Sequence, residues 1–312
     1  MQSSLAASDA ASGWAALPPE YAIPTNPPSV EEARAYCERL AKKHYENFGV
    51  ATWFLPQKLR PHFYSIYAYC RISDDLGDEV ADPLQSLALL DEWERELDAC
   101  YAGTPRHPVF VALRSTILAC GIPRDPFANL LTAFRQDQTV TRYKTFDDLL
   151  GYCVNSANPV GRLVLYACGY ADAERQQLSD FTCTALQLAN FWQDVVVDYS
   201  KGRIYLPLDD LKQHGVAEAD IAARRFTPMF RELMRFEVER AREWFVRGRP
   251  LLRSVDRELA IDIELFSRGG EEILNCIARQ DYDVLRARPV ISKPRKLALV
   301  ASTAMKALWN RL

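Results

Sequence analysis

Apolar residues recurring at i, i+3 and i+4 run through most of this chain, over 31–48, 61–78, 83–101, 108–119, 126–143, 146–169, 173–198 and 229–255. That spacing lays an apolar stripe along one side of a 3.6-residue helix and does not fit the two-residue alternation of a strand. Proline opens four of the segments, at Pro61, Pro83, Pro108 and Pro126, where a first helical turn leaves its N–H unbonded anyway. The one stretch that reads as extended, 202–207, lies between helices. The spacing therefore predicts an all-α bundle, with no repeat of solenoid length. No Gly-, Ser- or Pro-rich linker interrupts 31–288, so the 312 residues read as a single domain.

Residues 1–30 are rich in Ala, Ser and Pro and read as a flexible arm. They have neither the basic start nor the apolar run of a signal peptide, and no stretch of about 18 apolar residues exists to span a bilayer. In the tail, 291–312, Leu297, Val300, Ala301, Ala304, Leu308 and Leu312 share one helical face, with Lys296, Lys306 and Arg311 elsewhere. Such a helix is expected to close the core of the same domain. Its alternative is a basic amphipathic helix resting on a bilayer surface. A net charge of −3 leaves no basic footprint for nucleic acid. The eight cysteines form no CxxC pair and read as small buried hydrophobes in a reducing compartment.

Two acidic helices carry the chemistry. In the first, Tyr67, Arg71, Asp74 or Asp75, and Asp78 are three or four residues apart and share a face. In the second, Gln187, Asn190, Asp194 and Asp198 form a stripe among apolar neighbours, which predicts a helix buried nearly all round. A row of buried carboxylates needs partners, because unpaired buried charge is costly. Oxygen-only donors that leave room for water and phosphate oxygens suit Mg²⁺, and Mg²⁺ in turn would hold a diphosphate. Arg71, one turn from Asp74, is placed to neutralise the same anion. The four histidines show no zinc pairing, and neither GxGxxG nor GxxxxGK[ST] occurs.

These residues resemble the squalene and phytoene synthases, head-to-head isoprenoid diphosphate enzymes, over roughly 31–288. The resemblance rests on 44–48, on Tyr67-Ala-Tyr-Cys-Arg-Ile-Ser-Asp-Asp-Leu-Gly-Asp78, and on Asp137, Tyr143, Leu149 and Tyr152. It continues through Asn190, Asp194-Val-Val-Val-Asp198 and Lys201-Gly-Arg-Ile-Tyr-Leu-Pro207. It implies the isoprenoid synthase bundle over 31–290, with a central apolar cavity and two aspartate motifs facing each other across its mouth. By the same resemblance Asp74, Asp78, Asn190, Asp194 and Asp198 bind two or three Mg²⁺ ions. His44, Phe48, Asp137, Gln187, Lys201, Arg203 and Tyr205 contact substrate, the last three as a flap on the diphosphate. The competing reading of that flap is a solvated loop. Tyr67 and Tyr152 line the cavity and steady cations through their ring faces, though core packing would explain either.

Within the family, Tyr152-Cys-Val-Asn-Ser-Ala-Asn-Pro-Val-Gly-Arg162, Phe191-Trp-Gln-Asp194 and Gly49-Val-Ala-Thr-Trp-Phe-Leu-Pro56 are similar to bacterial hydroxysqualene synthases of hopanoid-type squalene pathways. That subfamily converts presqualene diphosphate to hydroxysqualene without NADPH, beside sister enzymes that make its substrate and reduce its product. The family often carries Arg just before the second motif. Gln193 stands there, which removes one cation facing the diphosphate. Asn158-Pro159 should kink its helix, with Gly161 allowing close backbone approach, and Asn155, Ser156 and Asn158 could hold a water. The expected location is the cytoplasm, with contact at the inner membrane face. Two alternatives remain open: condensation of two prenyl diphosphates to presqualene diphosphate, squalene or phytoene, and a non-catalytic prenyl-lipid-binding or assembly subunit.

Overall fold

The computed structural model describes residues 14, 17–43 and 56–308. Among them the regular structure is helical, with one isolated parallel bridge between Arg142 and Ile204. The chain divides into two compact units, 1–139 with 162–171, and 140–161 with 172–312.

The first unit holds α1 (Val30–Lys43), α2 (Arg60–Asp78), α3 (Pro83–Ala102), α4 (Pro108–Cys120) and α5 (Asp125–Gln136). Proline sits in the first turn of α2, α3, α4 and α5, as the sequence predicts. Helix α2 packs against the other four and buries Phe63, Ile66, Tyr69, Ile72 and Leu76. Tyr69 meets Phe127 at 4.9 Å between ring centroids, and Trp93 meets Phe110 at 4.5 Å. The polar atoms of these rings are satisfied internally. The Tyr69 hydroxyl donates to the Phe127 carbonyl (2.8 Å) and the Trp93 indole N–H to Ser73 Oγ (2.9 Å). This packing fixes the rotation of α2 about its axis and turns Arg71, Asp74 and Asp78 away from the core.

The loose arm expected over 1–30 does not extend to Leu17 and Tyr21, which are buried. Two large apolar side chains are enough to tie down a segment whose Ala, Ser and Pro content suggests freedom. All eight cysteines are free thiols, and burial pushes Cys37, Cys70, Cys100 and Cys153 up to about 12, which makes them inert packing groups at neutral pH.

In the second unit α8 (Ala173–Gln193) packs against α6 (Phe146–Ser156), α12 (Pro228–Gly248) and α13 (Arg257–Arg279). Helix α7 (Asn158–Ala167) carries the chain across the division between the units. Short helices α9 (Val195–Ser200), α10 (Leu208–Gln213) and α11 (Glu218–Ala222) follow α8, and α14 (Lys293–Leu308) lies on α13. A Cβ on Gly161 would come within 2.3 Å of Ser179 Oγ and 2.5 Å of Cys183 Sγ, so the expected close approach is real.

Five expectations need correction. The segment 126–143 stops being helical at Gln136. The segment 146–169 is two helices, broken at Ala157. Pro159 therefore falls in the first turn of α7, where its missing N–H costs nothing, and not inside a kinked helix. The segment 173–198 is broken at Asp194. Helix α13 was not among the expected segments at all. The fifth correction concerns α14. It does not close the core with its apolar face: Leu299, Thr303 and Arg295 face α13, whereas Leu297 and Met305 are 72% and 59% exposed.

Candidate functional site

Neighbouring residues on a helix point about 100° apart, so Asp74 and Asp75 cannot share a role. Asp75 is the buried one, its side chain 7% exposed against 50% for Asp74. It accepts both the Arg71 guanidinium, through Nε at 3.0 Å and through Nη2, and the Tyr21 hydroxyl at 2.7 Å. Burial, helped by the bond to Asp75, raises the Tyr21 hydroxyl above its ordinary range, so it stays a donor. Arg71 reaches Asp74 more loosely, at 3.8 Å. Asp74 and the exposed Asp78 follow one turn apart on the accessible side of α2, with Tyr67 half-buried one turn before Arg71. Burial also raises the Tyr67 hydroxyl. The Asp75–Arg71–Tyr21 clamp was missed in the sequence. The doublet itself hinted at it, since only one of two adjacent acids can face outward.

Asp137 is buried at the C-terminal cap of α5. The next residue, Gln138, donates its side-chain amide to the carbonyls of Gly77 (2.8 Å) and Phe134 (3.1 Å). Asp137 is thereby brought to the end of α2 that carries Asp74 and Asp78.

In the second unit α8 ends at Gln193, and Asp194 takes a non-helical backbone (φ −106°, ψ 16°) before α9 begins. Its carboxylate accepts both arms of Arg288, through Nε and through Nη2 at 3.0 Å. Gln193 is buried and donates its side-chain amide to the Pro289 carbonyl, beside Arg288. The expectation of a helix buried nearly all round does not hold. Leu188, Ala189, Phe191, Trp192 and Val195 are buried, whereas Asn190 is exposed and Gln187, Asp194 and Asp198 are partly open. The row of acids and amides runs along the accessible edge, so solvent supplies part of the solvation that buried charges would need from protein.

The segment after α9 is pinned, not a solvated loop. The Arg203 N–H returns to the Asp198 carbonyl (2.9 Å), Ile204 N–H bonds Thr141, and Arg142 Nη1 donates to the Gly202 carbonyl (2.7 Å). Arg142 was not singled out in the sequence. Lys201 is exposed and Arg203 partly so. Tyr205 is buried, stacked on Phe191 at 3.9 Å, and Tyr143 and Tyr152 lie 5.8 Å from it. Asn158 is also buried and accepts from Thr184 Oγ1 (3.0 Å), while Ser156 Oγ is buried without a hydrogen-bond partner. His44 and Phe48 lie outside the described residues.

Among the described residues no three His, Cys, Asp or Glu side chains converge as a ligand cluster. The chemistry of each acid pair nevertheless fits a hard cation. The donors are oxygens only, spaced one helical turn apart, and partly open, as an ion that keeps several of its waters requires.

The chain matches the squalene/phytoene synthase family over residues 25–295. The crystal structure of squalene synthase HpnC from Alicyclobacillus acidocaldarius is 46% identical, with a TM-score of 0.78 over 86% of this chain and 98% of that one. A dehydrosqualene synthase solved with a ligand is 26% identical, with a TM-score of 0.81 over 90% and 98%. Phytoene synthase of Arthrospira platensis is 30% identical over 294 residues, 90% of this chain and 95% of its own length.

Proposed function

The chain belongs to the squalene/phytoene synthase family, and from that premise we propose that it converts presqualene diphosphate to hydroxysqualene with release of diphosphate. The family's work is head-to-head isoprenoid synthesis from prenyl diphosphates, so the class of substrate follows from membership. The observation that carries the narrower reading is Gln193. Where family members often present arginine, this side chain is buried and bonded to a backbone carbonyl. It offers no charge to a second diphosphate, which suits an enzyme that takes one diphosphate substrate. The 46% identity to squalene synthase HpnC favours a squalene-type over a phytoene-type product.

Asp74, Asp78, Asn190, Asp194 and Asp198 are the residues that would hold magnesium. Bound there, the ions would supply Lewis-acid charge to the diphosphate leaving group. The protein's own part follows from its side chains. Arg71, held on Asp75, would offer positive charge to a diphosphate beside Asp74, and Arg288, which grips Asp194, would have to share that carboxylate with an ion bound there. The C–O bond breaks with its electron pair on diphosphate, leaving a carbocation. The ring faces of Tyr143, Tyr152, Phe191 and Tyr205 attract such a cation and keep bulk water out. A single water then adds its oxygen to the carbon and gives its proton to the released diphosphate. The partnerless Ser156 hydroxyl is our candidate to hold that water. Because water and not hydride ends the reaction, NADPH is not consumed. We further propose that the protein works in the cytoplasm in peripheral contact with the membrane, close to its sister enzymes and to its lipid product.

A second reading, condensation of two prenyl diphosphates, draws on the phytoene synthases that match about nine-tenths of the chain. Substrate comparison separates the two. Presqualene diphosphate with Mg²⁺ should be consumed far faster than farnesyl or geranylgeranyl diphosphate. Efficient formation of presqualene diphosphate or phytoene from the shorter substrates would refute the narrower reading and leave the family assignment in place.

A further inference from the structure

Helix α14 is turned inside out relative to an ordinary surface helix. The side that meets the protein carries Leu299 and Thr303, both buried, flanked by charged residues. Arg295 forks onto both carboxylate oxygens of Glu272 at 3.0 Å each, Arg268 reaches Thr303 and the Leu299 carbonyl, and Lys306 lies 3.3 Å from Glu264. All three partners, Glu272, Arg268 and Glu264, are on α13. The apolar side, Leu297, Ala301 and Met305 at i, i+4 and i+8, faces outward and is exposed, with Val300 and Ala304 half-buried between. A helix normally buries its apolar stripe. Here the stripe is left over after Leu299, Thr303 and the ion pairs to α13 have fixed the helix in place.

The charge around the stripe names its occupant. From Val284 to Leu312 the sequence has seven lysines and arginines and no aspartate or glutamate, in a chain whose net charge is −3. Lys293 and Lys296 are exposed beside Leu297. A cleft at the start of the helix is lined by Arg279, Gln280, Ser292 and Arg295, around the Glu272 that holds both guanidiniums. Two copies meeting through this face would press like charges together, which disfavours self-association. Apolar side chains flanked by the exposed Lys293 and Lys296 match the acyl chains and anionic headgroups of a bilayer.

We propose that the outward face of α14 docks on an anionic lipid bilayer, with Leu297, Ala301 and Met305 entering the acyl boundary and Lys293 and Lys296 meeting headgroup phosphates. The inference rests on the peripheral membrane contact proposed above and is independent of which reaction the site performs.

The test is sedimentation of the full chain with vesicles of phosphatidylglycerol and phosphatidylethanolamine, beside vesicles of phosphatidylcholine alone. The protein binds the anionic vesicles at least tenfold more tightly, and raised salt weakens that binding. The double variant Leu297→Asp, Met305→Asp loses at least tenfold in affinity. Lys293→Gln and Lys296→Gln lose roughly fivefold each, the worth of about 1 kcal/mol per charge near a lipid surface. Because these side chains point outward, melting temperature and turnover on detergent-dispersed substrate stay as in wild type. No binding to anionic vesicles would overturn the membrane contact itself. Binding that survives Leu297→Asp, Met305→Asp would overturn this face as its seat, as would loss of a dimer in those variants with vesicle binding unchanged.

Discussion

Asp74 and Asp75 differ by one position and, in the structure, by everything else. Asp74 is half-exposed and reaches Arg71 at 3.8 Å, whereas Asp75 is buried under Arg71 and Tyr21. Asp74→Asn should therefore lower turnover by several orders of magnitude while leaving the melting temperature within a degree or two. An amide cannot supply the charge that a metal-held leaving group draws on. Asp194→Asn should behave likewise in turnover. Asp75→Asn should show the reverse emphasis, a stability loss of about 2–3 kcal/mol in urea unfolding, because it strands a half-buried guanidinium and a buried hydroxyl. If both Asp74→Asn and Asp194→Asn kept activity within threefold of wild type, those carboxylates would have no place in the mechanism. Spacing alone made the shared face of Tyr67, Arg71, Asp74 and Asp78 legible. It did not tell which member of the doublet faces in, because that depends on Tyr21 arriving from a segment whose composition suggests no structure. The broken backbone at Asp194 was equally out of reach, since Val195, Val196 and Val197 continue an apolar pattern that a helix or its interruption would fit.

Helix positions were legible wherever proline and periodicity agreed, as in α2, α3, α4 and α5, and least so where pattern outran the element. The extreme case is α14: an apolar stripe tells that one face is special but not that the other face has partners waiting on α13. Packing at Gly161 gives a direct check at this scale. Gly161→Ala should cost about 1–3 kcal/mol by overpacking, and adding Ser179→Ala and Cys183→Ala should recover part of the loss. Two buried acids give opposite pH signatures. Glu237 on α12 shares Arg240 with Asp210, which takes the fork at 2.8 and 3.3 Å. Burial, with the Asp210 charge adding to it, pushes Glu237 up from 4.5 to about 8. Between those values the unfolded chain releases a proton that the folded chain keeps, so stability falls as pH rises through that window. Glu237→Gln should thus gain melting temperature relative to wild type from pH 5 to pH 8.5, and a constant difference would contradict the assignment. Glu272 runs the other way. Against the cost of burial, hydrogen bonds from Arg295, Arg279 and Asn275 hold it down at about 2. Its contribution is complete above about 4.5 and is lost as pH falls towards 2. Glu272→Gln should flatten that acid limb and loosen α14.

For the whole molecule, membership of the family and an all-α fold follow from sequence likeness and helix content together. The choice among the family's reactions turns on what ends the carbocation's path: a captured water, a delivered hydride or the loss of a proton. Gln193, bonded to a backbone carbonyl, suits a single diphosphate substrate, and the buried Ser156 hydroxyl is our candidate to hold a capturing water. The most direct measurement is to incubate the purified protein with presqualene diphosphate and Mg²⁺ in oxygen-18 water, with and without NADPH, and to identify the product by mass spectrometry. The expected result is hydroxysqualene carrying the heavy oxygen, formed at the same rate whether or not NADPH is present. An unlabelled product, or a switch to squalene when NADPH is added, would contradict it.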